Sequence, residues 1–167
     1  MRKVHNPFVS LEGYNCFGCS PGNSLGLQMT FIEEGEELVS YWEPKKQFEG
    51  YQTILHGGIQ ATLMDEIASW FVYVRLKSVG VTAKAEIRYI KPLYVDGGML
   101  TIRASLVQMR RNLADILVRI FDDHNVLCAE SLMVYFTVSP GKANGNLYYP
   151  GHESFFDSQD SNPQDSK

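Results

Sequence analysis

His56–Lys77, HGGIQATLMDEIASWFVYVRLK, is the stretch on which the reading of the whole chain turns. Run as a continuous helix from Gly57 to Lys77, it spans about 31 Å, roughly the width of a small domain. Ile59, Ala61, Leu63, Met64, Ile67, Ala68, Trp70, Phe71, Val72 and Val74 place apolar groups around nearly its full circumference. A single core-facing stripe does not describe such a helix, so it must be covered on most sides. Its only acids, Asp65 and Glu66, sit two turns in, too far from either end to cap it or to complement its dipole. Two ionisable groups in the middle of an apolar helix point to chemistry.

The entrance to the helix is equally distinctive. Gly57 and Gly58 are poor helix formers, but at a helix start they allow a sharp turn and leave the free N–H groups uncovered by side chains. Such N–H groups can hold a negative oxygen, including the oxyanion that develops on a carbonyl under attack. Taken alone, the pair reads better as a loop that lets the helix pack closely, and His56 as a structural histidine that orients that loop.

Outward from the helix, the 167 residues suit one domain able to bury a core without disulfides. A formal net charge of −4 and mixed charge leave no basic stripe for phosphates, which excludes a nucleic-acid partner as an expectation. The first residues, MRKVHNPFVSLEG, lack the apolar core of a signal peptide, and Asp65, Glu66 and Arg75 interrupt the helix as they would not a membrane span. The expectation is a cytoplasmic protein with no membrane partner. Cys16 and Cys19 form a CxxC in a loop-like segment, and Cys128 stands apart. A structural zinc site wants four ligands, and the scattered His5, His124 and His152 do not supply a second pair. No βαβ pattern supports a redox motif either, so the pair reads as two reduced thiols in a packed loop, with no metal expected.

The remainder alternates like sheet. LQMTF and LVSYW flank the acidic turn EEGEE as a first hairpin, and EPKKQFEGYQTIL delivers the chain to the helix. After Lys77, Val81, Ala83, Ala85, Ile87 and Tyr89 alternate with Thr82, Lys84, Glu86 and Arg88, the pattern of a long half-buried strand. MLTIRASLVQM, ADILVRIFD and VLCAESLMVYFTV follow, separated by the turns RRN and DDHN, as an antiparallel meander. One helix between strand groups gives an α+β fold, a curled antiparallel sheet around the helix. The domain is placed at 1–140, with 1–26 as an extension that carries the CxxC and 141–167 as a C-terminal extension. In the latter, NLYYPGHESFF packs by its aromatics and 157–167 reads as a mobile tail.

An apolar helix opened by His56-Gly57-Gly58, with Asp65 nine residues after the histidine and GVTAKAEIRYIKPL from Gly80 to Leu93 behind it, resembles the hotdog-fold thioesterases, and among them the PaaI-like acyl-CoA thioesterases. NCFGCSPGNSLGL is similar to an N-terminal signature of one subgroup, and the likeness runs from about Asn15 to Val138. It implies that a backbone N–H at Gly57 polarises a thioester carbonyl. Asp65 acts as general base on water or as nucleophile, Thr82 helps to hold the water, and His56 fixes the loop. It implies an acyl-CoA substrate with no separate cofactor, coenzyme A being part of that substrate. The pattern departs at Gly50, where many members carry Asn, and at Glu66, a second acid next to Asp65. Successive helical residues point about 100° apart, so only one of the two acids faces a given site. Asp65 shares its face with Ala61, Ala68, Ser69 and Val72, small groups that leave room for a ligand.

A carboxylate in apolar surroundings loses hydration, which favours its protonated form and makes it a better base once ionised. The structural alternative is a buried Asp65 paired with Arg75 or Arg88. Gly58 and Ser69 are further candidates for substrate contact, and Arg88, Arg110 and Arg111 for the phosphates of coenzyme A, against the alternative of ordinary solvated strand charges. Two other functions compete: a non-catalytic acyl-thioester binder, and a hydratase or dehydratase on the same fold, whose usual His-Phe-Pro-Gly opening is absent. Gly57 and Asp65 are about 12 Å apart along a continuous helix, so the sequence leads to a homodimer with composite sites, or a dimer of dimers.

Overall fold

In the computed structural model, which describes residues 1–138 and 148–157, the stretch after His56 is one unbroken helix, α1, Gly57–Val74. It is about 27 Å long. It ends three residues short of Lys77, which adopts φ +49° as the chain turns back. Leu63, Met64, Ile67, Ala68, Trp70, Phe71, Val72 and Val74 are all buried, as an apolar circumference requires.

Among the described residues, nine strands accompany the helix: β1 (Arg2–Val4), β2 (Phe31–Glu34), β3 (Glu37–Trp42), β4 (Glu49–Tyr51), β5 (Ile54–Leu55), β6 (Val79–Tyr89), β7 (Leu100–Arg110), β8 (Leu113–Phe121) and β9 (Leu127–Val138). Seven form one antiparallel sheet in the order β1-β2-β3-β7-β8-β9-β6, and β4 and β5 pair separately. The first strand of the hairpin begins at Phe31, later than LQMTF suggested, and its pairing across the turn at Gly35, φ +58°, runs from Ile32 to Glu34. Ile102, Ala104, Ala114, Ile116, Val118, Ile120, Ala129 and Met133 turn their side chains to α1, where none is more than 1% exposed.

Both terminal segments enter this core. Phe8 lies against Trp70, and Phe155 against Trp70 and Tyr73. The His5 N–H donates to Phe155 O at 2.8 Å. The tail expected at 157–167 lies, beyond Asp157, outside the described residues.

Strand β6 differs from its sequence reading in a way that matters for the site. Its pairing with β9 slips between Thr82 and Lys84: Thr82 opposes Tyr135, and Lys84 opposes the adjacent Val134. Ala83 is therefore the extra residue of a β-bulge, and a bulge reverses which side chains face the core. Strict alternation put Thr82 on the polar face with Lys84, but the bulge sets it on the helix side with Ala85, Ile87 and Tyr89. The expected half-burial also fails, since every residue from Val81 to Glu86 is exposed. β6 ends the sheet, and no strand among the described residues pairs with its outer edge.

The helix–sheet contact sets the stability of the domain. Ile67, fully buried between helix and sheet, should lose about 2–5 kcal/mol as Ile67→Ala, the cost of deleting buried methyl groups and leaving a cavity. Urea unfolding of the two proteins side by side measures the difference.

Candidate active site on the central helix

His56 caps the helix. Its Nδ1 accepts from the Gly58 N–H at 2.9 Å, and its carbonyl accepts from the N–H groups of Ile59 and Gln60 at 3.0 and 3.1 Å. Since Nδ1 is an acceptor, the ring proton is on Nε2. The cap consumes the Gly58 N–H, while that of Gly57 has no acceptor among the described residues. Of the two glycines at the entrance, Gly57 therefore keeps the free donor. The Tyr89 hydroxyl donates to Gly57 O at 2.9 Å and ties the helix start to the end of β6. Gly50, where the chain departs from the pattern of the family it resembles, packs on the cap: a Cβ there would lie 3.0 Å from His56 Cα. Beside the cap, Phe48, His56, Gly58, Ile59 and Thr62 line a groove of about 370 Å³.

Asp65 is half-buried, two turns further on. The hydroxyls of Thr82 and Tyr135 both donate to its Oδ1, each at 2.7 Å, and Tyr135 also lies 2.9 Å from the Asp65 carbonyl oxygen. Oδ2 receives no hydrogen bond among the described residues. The carboxylate is thus anchored through one oxygen by two strands while the other stays free. Burial, and then the charge of Asp65, push the Tyr135 phenol well above its usual range, so it remains a donor. Sequence reasoning missed Tyr135. The signal was a tyrosine inside the otherwise apolar run LMVYF, because a buried tyrosine hydroxyl needs a partner.

The structural alternative for Asp65 does not hold. Arg75 pairs with Glu33 at 2.9 Å and Glu36 at 2.6 Å, and Arg88 with Glu130 at 3.0 Å. The apolar surroundings expected around Asp65 belong instead to its neighbour. Glu66 points to the other side of α1, where Trp70 Nε1 donates to its Oε1 at 3.0 Å and Cys16 Sγ lies 3.6 Å away. Burial, and next the charge of Cys16, push Glu66 up to about 7. Cys16 is drawn down to about 5, chiefly by a hydrogen bond from Cys19, with further donation from the backbone N–H groups of Cys19 and Gly18. Cys19 is pushed up by that same bond to Cys16 and by burial. Ser69, expected beside Asp65, lines the cavity of about 260 Å³ on this second side.

The basic candidates are scattered. Arg110 donates to Asp115 at 2.6 Å and Arg88 to Glu130, both on register positions that face away from α1. Neither is brought to Asp65 within one chain. Arg111, at φ +57° in the β7–β8 turn, is exposed and has no ion pair among the described residues.

Comparison with known proteins fits this geometry. Residues 52–129 match the family model described as the thioesterase superfamily, a span that holds Gly57, Asp65, Thr82 and most of the sheet. An uncharacterized protein of Schizosaccharomyces pombe is 36% identical over 64 residues, which are 37% of each chain, so the match spans little more than a third of that relative. A hypothetical thioesterase of Streptococcus pneumoniae, crystallised with coenzyme A, superposes with a TM-score of 0.62 at 23% identity, over 66% of this chain and 86% of that one. A Streptococcus mutans protein bound to acetyl-CoA superposes with a TM-score of 0.61 at 19% identity, over 78% of this chain and 97% of the other. At these identities the structures establish the fold. The chain therefore has the hotdog fold, and its residues 52–129 match the thioesterase superfamily model.

Proposed function

We propose that this chain hydrolyses an acyl-CoA thioester to the free acid and coenzyme A, as a PaaI-like enzyme working in the cytoplasm. The observation that carries the reading is the anchoring of Asp65 Oδ1 by Thr82 and Tyr135, which leaves Oδ2 directed and unoccupied. A water held at Oδ2 gives it a proton while the water oxygen attacks the thioester carbon. The carbonyl oxygen takes up the developing charge against the Gly57 N–H. As the C–S bond breaks, the thiolate leaves and takes the proton back from Asp65. Asp65 acting as the nucleophile, through an anhydride, uses the same geometry. Coenzyme A enters as part of the substrate, and the step requires no separate cofactor. Binding of coenzyme A and acetyl-CoA by the streptococcal proteins supports this choice of thioester. The groove at Phe48 and Gly58 receives part of the substrate, and Arg111 is free for a phosphate.

The site needs a second chain. The helix is continuous from Gly57 to Val74, so Gly57 and Asp65 stand about 12 Å apart along it. Groups that act on one carbonyl must lie within about 3 Å of the reacting atoms, or act through one water. An antiparallel copy of α1 across a two-fold axis brings the Asp65 of one chain to the Gly57 of the other. The exposed eleven-residue edge of β6, with Val81 and Tyr89 each more than half exposed, is the surface such a copy would cover.

Free-thiol release from a panel of acyl-CoA esters tests the activity and reads the acyl preference together. A panel that binds without turnover would leave a binding protein. Asp65→Asn, which keeps shape and loses the base, should nearly abolish turnover in a folded protein, and Glu66→Gln should do far less; the reverse ranking moves the base to Glu66. Thr82→Val should lower kcat more than it raises KM, because the hydroxyl orients the base rather than the bound acyl group.

Composite sites are tested by complementation. A Cβ at Gly57 meets only ordinary contacts with the Tyr89 ring, the nearest at 3.5 Å, so Gly57→Val blocks the carbonyl position without crowding the helix start. Mixed dimers of Asp65→Asn and Gly57→Val chains should recover one intact site and regain activity that neither homodimer has. Verified mixed dimers with no recovery would exclude the shared site.

A further inference from the structure

The CxxC was read from its spacing as two thiols in a loop, with no metal expected, but the fold gives it a third partner. Cys16, Cys19 and Glu66 place one ligand atom each within 4.8 Å of one another, although Glu66 is fifty positions from Cys16 on another element. We propose that these three side chains form a zinc site, with the fourth coordination position open to the cavity between the N-terminal loop and the central helix.

Three observations carry the assignment. The first is spacing. Zinc holds thiolate sulfur at about 2.3 Å and carboxylate oxygen at about 2.0 Å, so two such ligands at a tetrahedral angle lie about 3.5 Å apart. Cys16 Sγ stands 3.6 and 3.7 Å from the two oxygens of Glu66. The second is the set of supporting donors. Metal ligands are usually held by hydrogen bonds to their remaining lone pairs. Here the Tyr14 hydroxyl is 2.9 Å from Cys19 Sγ, and Trp70 Nε1 donates to Glu66 Oε1. Tyr14 is itself oriented by the Asn6 amide at 3.1 Å. Cys19 and Glu66 therefore each have a polar partner of their own. The third is shape. Any side chain at Gly18 would collide with the Glu66 carboxylate, so the glycine inside the CxxC lets the loop close over the third ligand.

Two thiolates and one carboxylate suit zinc among divalent ions, since soft sulfur ligands disfavour magnesium and calcium. The fourth position faces the cavity of about 260 Å³ that Phe8, Leu11, Tyr73 and Tyr148 close, with room for a water or a small donor ligand. Zinc here lies on the opposite flank of α1 from Oδ2 of Asp65 and takes no part in hydrolysis. Its role is to fasten the Tyr14–Leu27 loop to the helix, so binding free energy becomes folding free energy.

The test uses the full chain, stripped with a chelator and titrated with zinc against a chromophoric competitor. One zinc per chain is expected, together with a rise in melting temperature. Cys16→Ser, Cys19→Ser and Glu66→Gln should each weaken binding by more than about tenfold, and Tyr14→Phe, which removes only a supporting donor, by about tenfold. Cys128→Ser should bind as the unaltered chain does. Cobalt substitution of the unaltered protein should give thiolate-to-metal charge-transfer bands with a tetrahedral ligand-field spectrum, which keeps the test independent of how any variant folds. Less than one zinc per chain, a cobalt spectrum without sulfur ligation, or full affinity in folded Glu66→Gln protein would overturn the site. So would closure of a Cys16–Cys19 disulfide in place of metal uptake under reducing conditions.

Discussion

The hydrogen bonds that Thr82 and Tyr135 give to one oxygen of Asp65 fix the orientation of the acid in the middle of the central helix. They join the middle of the central helix to two neighbouring strands, and the one from Thr82 exists only because the β6 register slips at Ala83. Without the bulge, Thr82 would point with Lys84 to the outer face of the sheet. Asp65 would then keep only Tyr135. An irregularity of one residue in an edge strand thus turns a buried-helix acid into an oriented one, in keeping with the frequency of bulges beside active sites.

Two adjacent acids on one helix come to have unrelated surroundings because a helix turns about 100° per residue. Asp65 meets hydroxyls and the open edge of the sheet. Glu66 meets an indole, two thiols and the aromatic layer formed by Phe8, Tyr73 and Phe155. Burial pushes Glu66 up to about 7, the behaviour expected of a carboxyl with little hydration and a negative neighbour. The apolar environment that the sequence suggests for Asp65 is thus found at its neighbour Glu66, and Asp65 is distinguished by the two hydroxyls that hold its Oδ1.

Local signals carried most of the fold. Apolar residues all around 57–74 require a covered helix, and alternation with turn residues at Gly35, Arg111–Asn112 and Asp122–Asn125 defines the hairpins. The Gly-Gly entrance is legible because few residues serve an exposed helix start. What is not legible depends on pairing between distant segments. Period-two reading cannot see a bulge, so Thr82 falls on the wrong face. Tyr135 lies 70 positions from Asp65 and has no local sign of its partner. Arg88 and Arg110 look available in sequence because their acids, Glu130 and Asp115, enter only through the register of other strands. Exposure of β6 is a statement about what does not cover it, which no intrachain pattern encodes.

Ligand-spacing rules see only part of the cluster at the CxxC for the same reason. They count cysteines and histidines along the chain, and so they find two ligands where tertiary structure supplies three. Glu66 is invisible to such a count because it lies fifty positions from Cys16 on another element. The helix has both flanks occupied, one by the sheet edge and one by the N-terminal loop. That loop is consequently no appendage. Phe8, Cys19, Leu27 and Met29 are buried with the helix, and Trp42 Nε1 donates to Leu27 O at 2.7 Å. The segment closes the flank of α1 that the seven-stranded sheet leaves open. A helix apolar on every side needs such a cover, and this one brings its polar groups already paired with Glu66.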